Sequence, residues 1–147
     1  MTELTLKTLP RPREAVTMAI EGLDDAAAIR AMARAMGSQA EVAAAAHVPA
    51  RLRDGKGLTL LRIQGFGPSV TARCALLEPL LGETGRVFAL PAPDVEAEWA
   101  QYRTLAALGA DLPLWRISVP PSKVCDLVAA ISGDGANWIY DWAGGLV

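Results

Sequence analysis

Three stretches of this chain are built on one plan, and the plan restricts the fold. Residues 114–122 read LWRISVPPS, residues 61–70 read LRIQGFGPSV, and residues 6–14 read LKTLPRPRE. Each alternates apolar and polar side chains as a half-buried strand does, then breaks at proline or glycine, then enters a segment that suits a helix start. In the third copy Leu114, Arg116 and Ser118 point to one side and Trp115, Ile117 and Val119 to the other. Pro120 and Pro121 cannot donate to a strand ladder, so the strand must end there. Val124, Leu127, Val128 and Ile131 follow at helical spacing over 121–131. In the copy at 58–77, Gly65 and Gly67 supply the turn, Pro68 suits a first helical turn, and Val70, Cys74 and Leu77 form one stripe, with Pro79 expected to end or kink the helix. The first copy places a strand at 3–9.

Between these units the reading continues. A helix over 24–36 is signalled by Asp24 and Asp25 at its positive end, by a stripe of Ile29, Met32, Ala33 and Met36, and by Gly37, suited to a left-handed close. A helix over 95–108 follows Pro93-Asp94 and stops at Gly109, with Trp99, Tyr102 and Ala106 inward. AEVAAAAHVPA at 40–50 is ambiguous, because alanine favours helix while the short length and the Val-Pro ending suit a strand. Strand is the assignment adopted. The order of elements then predicts an α+β fold of ferredoxin-like, split β-α-β type, an antiparallel sheet with helices on one face.

At 147 residues and 52% hydrophobic composition the chain reads as a single domain, 1–147, with enough apolar side chains for one core. A formal net charge of −2 gives no general attraction to nucleic acid or to an anionic membrane. No apolar run reaches the roughly 20 residues that span a bilayer, and no signal-like start precedes the first strand, so a cytoplasmic chain without a transmembrane segment is expected. Cys74 and Cys125 each fall at an apolar helical position, where cysteine packs as a small hydrophobe rather than as half of a disulfide. His47 is the only histidine, which disfavours histidine metal clusters and a Ser-His-Asp arrangement.

The chemistry candidates are basic and aromatic. Aligning the three units puts Lys7, Arg62 and Arg116 at one strand position, so one sheet face is expected to be cationic. Such a row serves either as ordinary polar-out alternation on a wet sheet or as a holder of carboxylates. In WIYDWAGG, Trp138, Tyr140 and Trp142 share one side of a strand and Asn137, Ile139 and Asp141 the other. That aromatic row reads as core, as a subunit contact or as the edge of a cofactor site. Asp141 reads as a polar site residue or as the cap of a turn before Gly144 and Gly145.

LWRISVPPS, its echo LLRIQGFGPSV, the opening LTLKTLPRP and the ending WIYDWAGGLV together resemble the C-terminal half of the glycolate oxidase FAD-binding subunit, in the vanillyl-alcohol oxidase-like group of FAD-linked oxidases. The resemblance implies a cap or substrate domain that lies over the reactive end of FAD, with the cofactor held mainly by a preceding flavin domain that has no counterpart in this sequence. It implies flavin-dependent oxidation of a small 2-hydroxy acid, glycolate, to glyoxylate, by a chain that is inactive alone. Partners would be the flavoprotein and iron-sulfur subunits of the same enzyme, through which it would lie peripheral to the inner membrane. On this resemblance Arg116 and Arg62 would bind substrate, and Trp115, Asp141 and Trp142 would border the cofactor. GFG at 65–67 is better explained as a turn than as a pyrophosphate loop. The alternative is a ferredoxin-like module without catalysis that binds a small anion or assists subunit assembly.

Overall fold

The computed structural model describes residues 3–8, 10–109 and 112–147. The sheet is centred on β1, Glu14–Glu21, whose sequence EAVTMAIE sends Val16, Met18 and Ile20 to one face and Ala15, Thr17 and Ala19 to the other. Thr17 to Ile20 are all buried, so this strand is covered on both sides. β1 pairs antiparallel with β3, Leu58–Gly65, and with β4, Val87–Ala89. β3 pairs antiparallel with β2, Ala44–Val48, and the strand order is β2-β3-β1-β4. With helix α1, Asp25–Met36, between β1 and β2, and α2, Gly67–Leu81, between β3 and β4, the connectivity is that of a ferredoxin-like α+β fold.

α1 begins where Asp24 accepts a hydrogen bond from the Ala27 amide at 2.7 Å, and its buried side is Ala28, Ile29, Ala31, Met32 and Ala35. Ala33 and Met36, expected on that stripe, face outward. Gly37 closes the helix in a right-handed conformation, φ −80°, rather than the left-handed one expected. α2 runs two residues past Pro79 before ending at Leu81, with Val70 and Leu77 buried and Cys74 half-buried against the core. Cys125, by contrast, is exposed on α4, Val124–Ile131, whose buried residues are Val124 and Val128.

α1, α2 and α4 supply the core on the face of Met18, Ile20, Leu61 and Ile63, as the expected helix-bearing face requires. The fourth helix, α3, Ala92–Thr104, lies on the opposite face, where Trp99 and Tyr102 pack on Ala19, Ala46, Val48, Leu58 and Leu60. The second face is therefore covered as well. Ala106, expected inward on this helix, is exposed beyond its left-handed end at Leu105. Among the described residues no helix is long and apolar enough to cross a membrane.

Two of the three echoed stretches lie outside the sheet. Residues 3–8 form no strand and Lys7 is exposed, because the strand preceding α1 is β1, at 14–21. Residues 117–119 pair instead with the C-terminal residues: Ile117 and Val147 exchange backbone bonds of 2.8 and 2.9 Å, and the Val119 amide donates to Gly145 at 3.1 Å. The sheet edge beside β2 is already taken by Tyr140, which exchanges two 2.9 Å backbone bonds with His47. Arg62 and Arg116 thus do not share a sheet. The expected cationic face reduces to Arg62 alone.

Gly57 stands where β3 begins, and a methyl group there would lie 2.6 Å from the Leu23 carbonyl oxygen and 3.0 Å from His47 Cε1. A backbone oxygen cannot move aside cheaply, so Gly57→Ala is expected to lose about 1–3 kcal/mol in urea unfolding. Gly133→Ala, facing open space, should stay within about 0.5 kcal/mol. Equal midpoints for the two variants would refute the close approach.

Candidate functional site

The site begins at the open end of β2. A cleft of about 390 Å³ is lined by Met36, Ala43, Ala44, Ala45, Trp99, Asp141, Trp142 and Ala143. It exists because the chain leaves the sheet just after Tyr140. Asp141 accepts a 2.8 Å bond from the Trp142 amide, and Trp142 and Ala143 take positive φ of 50° and 55°. This turn carries the Trp142 ring away from the row of Trp138 and Tyr140, which stay buried, and leaves it 59% exposed. The expected single aromatic side is therefore split: two residues in the core, one at the surface. Asp141 is the cap of that turn and a wall of the cleft at once.

Pairing of 117–119 with the last residues brings Arg116 to the same place. Its guanidinium carbon lies 5.2 Å from the centre of the Trp142 ring, a cation–π distance. Trp115, next in the chain, is 78% exposed. Three of the five residues singled out in the sequence, Arg116, Asp141 and Trp142, thus meet at the cleft. Arg62 is set apart: it stands in a cross-strand row with Ala44 and Thr17 on the face covered by α3 and is half-buried.

Behind the ribbon is a buried polar network that the sequence did not announce. Asp25 Oδ2 accepts from the Trp138 indole at 2.8 Å and from the Tyr140 hydroxyl at 2.6 Å. Its Oδ1 lies 3.7 Å from Nε2 of the fully buried His47, too far for a direct hydrogen bond. His47 Nδ1 is 2.9 Å from Thr59 Oγ1. On the outside, the Arg51 guanidinium stacks 2.9 Å from the centre of the Trp138 ring. Tyr140, His47, Thr59 and Ile20 form one row across the strands, so the sheet register itself brings this group together. Sequence signals existed: a lone histidine inside a strand, and Trp138 and Tyr140 two residues apart. Asp25 carried none, because an acid in a first helical turn is already explained by the helix dipole.

Burial alone would raise the Asp25 carboxyl, but the neighbouring His47, the Tyr140 hydroxyl and the Trp138 indole outweigh it and hold the group at about 2, against an ordinary 3.8. Burial, and then the carboxylate it donates to, push the Tyr140 hydroxyl far up. Tyr102, beneath α3, is raised chiefly by burial and then by the charge of Asp141. Its hydroxyl and His47 Nε2 are buried without a hydrogen-bond partner among the described residues.

The arrangement can bind but offers little by way of covalent chemistry. Cys74 is half-buried, and burial is the first cause that raises its thiol, which opposes the thiolate that a nucleophile needs. Thr59 is fully buried. What the surface presents is the Arg116 guanidinium over the exposed Trp142 indole, with Asp141 beside it in the cleft wall. Comparison with family models and with curated proteins finds no match to this chain.

The acid response of the network has a definite sign. Asp25 titrates at about 2 in the fold and near 3.8 when unfolded, so between these values the unfolded chain binds more protons. The stability it contributes is complete above about pH 4 and is lost as the pH falls towards 2. Asp25→Asn should therefore be less stable than the parent at neutral pH, with a gap that narrows as the pH drops through that window. Urea unfolding at several pH values reads this directly. A gap independent of pH would show that the charge of Asp25 is not what binds the ribbon.

Proposed function

We propose that this chain is the cap domain of a glycolate oxidase FAD-binding subunit and contributes to flavin-dependent oxidation of glycolate to glyoxylate. The observation that carries the reading is the meeting of Arg116 with Trp142 beside Asp141 in the cleft wall, on the two stretches whose words resemble that family. An exposed indole with a guanidinium over it forms a surface suited to a flat ring and a small carboxylate. The Glu14 carboxylate lies against Gly67 in the turn at Gly65-Phe66-Gly67, a negative charge that disfavours a pyrophosphate there. In this reading the dinucleotide part of FAD is the task of a separate flavin domain. When bound there, the flavin supplies the two-electron acceptor.

Within this reading Arg116 holds the glycolate carboxylate. Its stacking on Trp142 limits the rotamers of a long side chain, so less freedom is lost when the carboxylate arrives. Trp142, against which Arg116 packs, excludes water from one side of the reacting carbon. Partner flavoprotein and iron-sulfur subunits, and a position beside the inner membrane through them, belong to the same proposal.

In the subunit assembled with its flavin domain, Arg116→Ala removes a charged hydrogen bond worth roughly 1.5–3 kcal/mol, which corresponds to a ten- to hundredfold loss of kcat/KM for glycolate. An exposed arginine changes stability by only about 0.5 kcal/mol, so the melting temperature should hardly move. Arg116→Lys should recover part of the activity, the charge without the planar fork. Unchanged kcat/KM would leave the rival, a module that binds a small anion or assembles with partners without catalysis. Loss of activity and melting temperature together would mark Arg116 as an interdomain contact instead.

A further inference from the structure

α3 is the one helix on its face of the sheet and, unlike the other three, ends on a left-handed residue. Like them it makes no backbone hydrogen bond to the sheet among the described residues; the last such bond before it is Leu90 N to Thr17 O at 2.8 Å. Its N-terminus follows Pro91 with no side-chain cap, and it ends on Leu105 at φ 55°, a left-handed conformation that costs a residue with a Cβ about 1 kcal/mol. Thirteen residues with such ends are marginal as a free helix.

Its attachment is made by a few side chains. The Trp99 indole donates to Thr17 Oγ1 at 2.9 Å, and Glu98 receives both guanidinium nitrogens of Arg53 at 2.8 and 3.0 Å. The covered floor is Ala19, Ala46, Val48, Leu58 and Leu60, and the two alanines leave room for Trp99 and Tyr102 to fill it from above. The fit is incomplete, since the Tyr102 hydroxyl is buried there without a partner among the described residues, and an unmade bond of this kind weighs against the closed position.

We propose that α3 is a detachable cover on the second face of the sheet, latched by Arg53–Glu98 and by Trp99 on Thr17, and that it opens as a unit while the four strands and the other helices stay folded. Opening uncovers Ala19, Ala46, Val48, Leu58 and Leu60, the Thr17 hydroxyl and the side chain of Arg62, which stands opposite Thr17 in the register. It also removes the Trp99 wall of the cleft. This inference concerns the motion of one element and holds whether or not the reaction proposed above is correct.

Native-state hydrogen exchange on the full chain tests it. The amides of residues 96–104 should exchange by a local opening that depends little on denaturant, about a hundredfold faster than those of β3. Glu98→Ala should speed the α3 amides about tenfold further, in line with the loss of a charged pair of hydrogen bonds, and leave β1 and β3 unchanged. The exchanged pair Arg53→Glu with Glu98→Arg should restore the slow rate. If α3 and β3 exchange together through global unfolding, if Glu98→Ala accelerates every strand equally, or if it leaves α3 unaffected, the cover is overturned.

Discussion

One carboxylate oxygen, Asp25 Oδ2, holds the C-terminal ribbon to the rest of the molecule through side chains. Two aromatic donors that are buried or nearly so, Trp138 and Tyr140, both end on it. The backbone contribution at this edge is a single pair, His47 with Tyr140. A ribbon with one ladder pair would peel from a sheet edge. It is retained because breaking it would leave an indole and a hydroxyl unpaired in a region from which water is largely excluded. Asp25 keeps its charge for the same reason: two donors and an adjacent imidazole outweigh the cost of partial burial. Everything at the cleft mouth rests on this anchor, since Asp141 and Trp142 follow Tyr140 directly, and residues 117–119, with Arg116 before them, pair with the chain's end.

The sheet beneath explains why such an anchor is needed. β1 is buried on both faces and both its edges are taken, so free edge remains only beside β2 and β4. β4 is three residues long and bounded by Pro91, with Arg86 set over Phe88, features that blunt an edge. The β2 edge is longer and carries only alanine, histidine and valine. Pairing His47 with Tyr140 closes its far half, and the divergence at Trp142 leaves its near half, Ala43 to Ala45, as the floor of the cleft. The cleft is the consequence of an edge that is only half covered.

How far the sequence discloses this depends on the element. α1 is legible because cap and apolar period agree at Asp24, Ile29 and Met32. Its alanines cannot disclose their orientation, which is why Ala33 and Met36 were expected inward while Ala31 and Ala35 are the residues buried there. β2 is legible from length and from Val-Pro against the propensity of four alanines, since burial between β3 and the ribbon overrides an intrinsic helix preference. β1 is the serious omission. Its alternation is as regular as any in the chain, but the words shared by 6–14, 61–70 and 114–122 draw the strand to the wrong place. Short similar words recur in different settings because turn chemistry is local, whereas strand pairing is decided by which edge is free.

The same distinction separates the two arginines. Arg62 and Arg116 both follow an apolar residue and precede isoleucine, and both stand before a turn. One lies in a central strand between Ala44 and Thr17, on a face that α3 closes. The other lies on a surface ribbon over an exposed indole. Alternation in a sequence says that two side chains point away from their apolar neighbours; it does not say what they point towards. That is settled by the long-range pairs, Asp25 with Tyr140, Ile117 with Val147 and Glu98 with Arg53, which join residues far apart in the chain and leave no periodic trace. Binding surfaces assembled from such pairs are read from the fold, and the two guanidinium groups acquire different chemistry although their local words are the same.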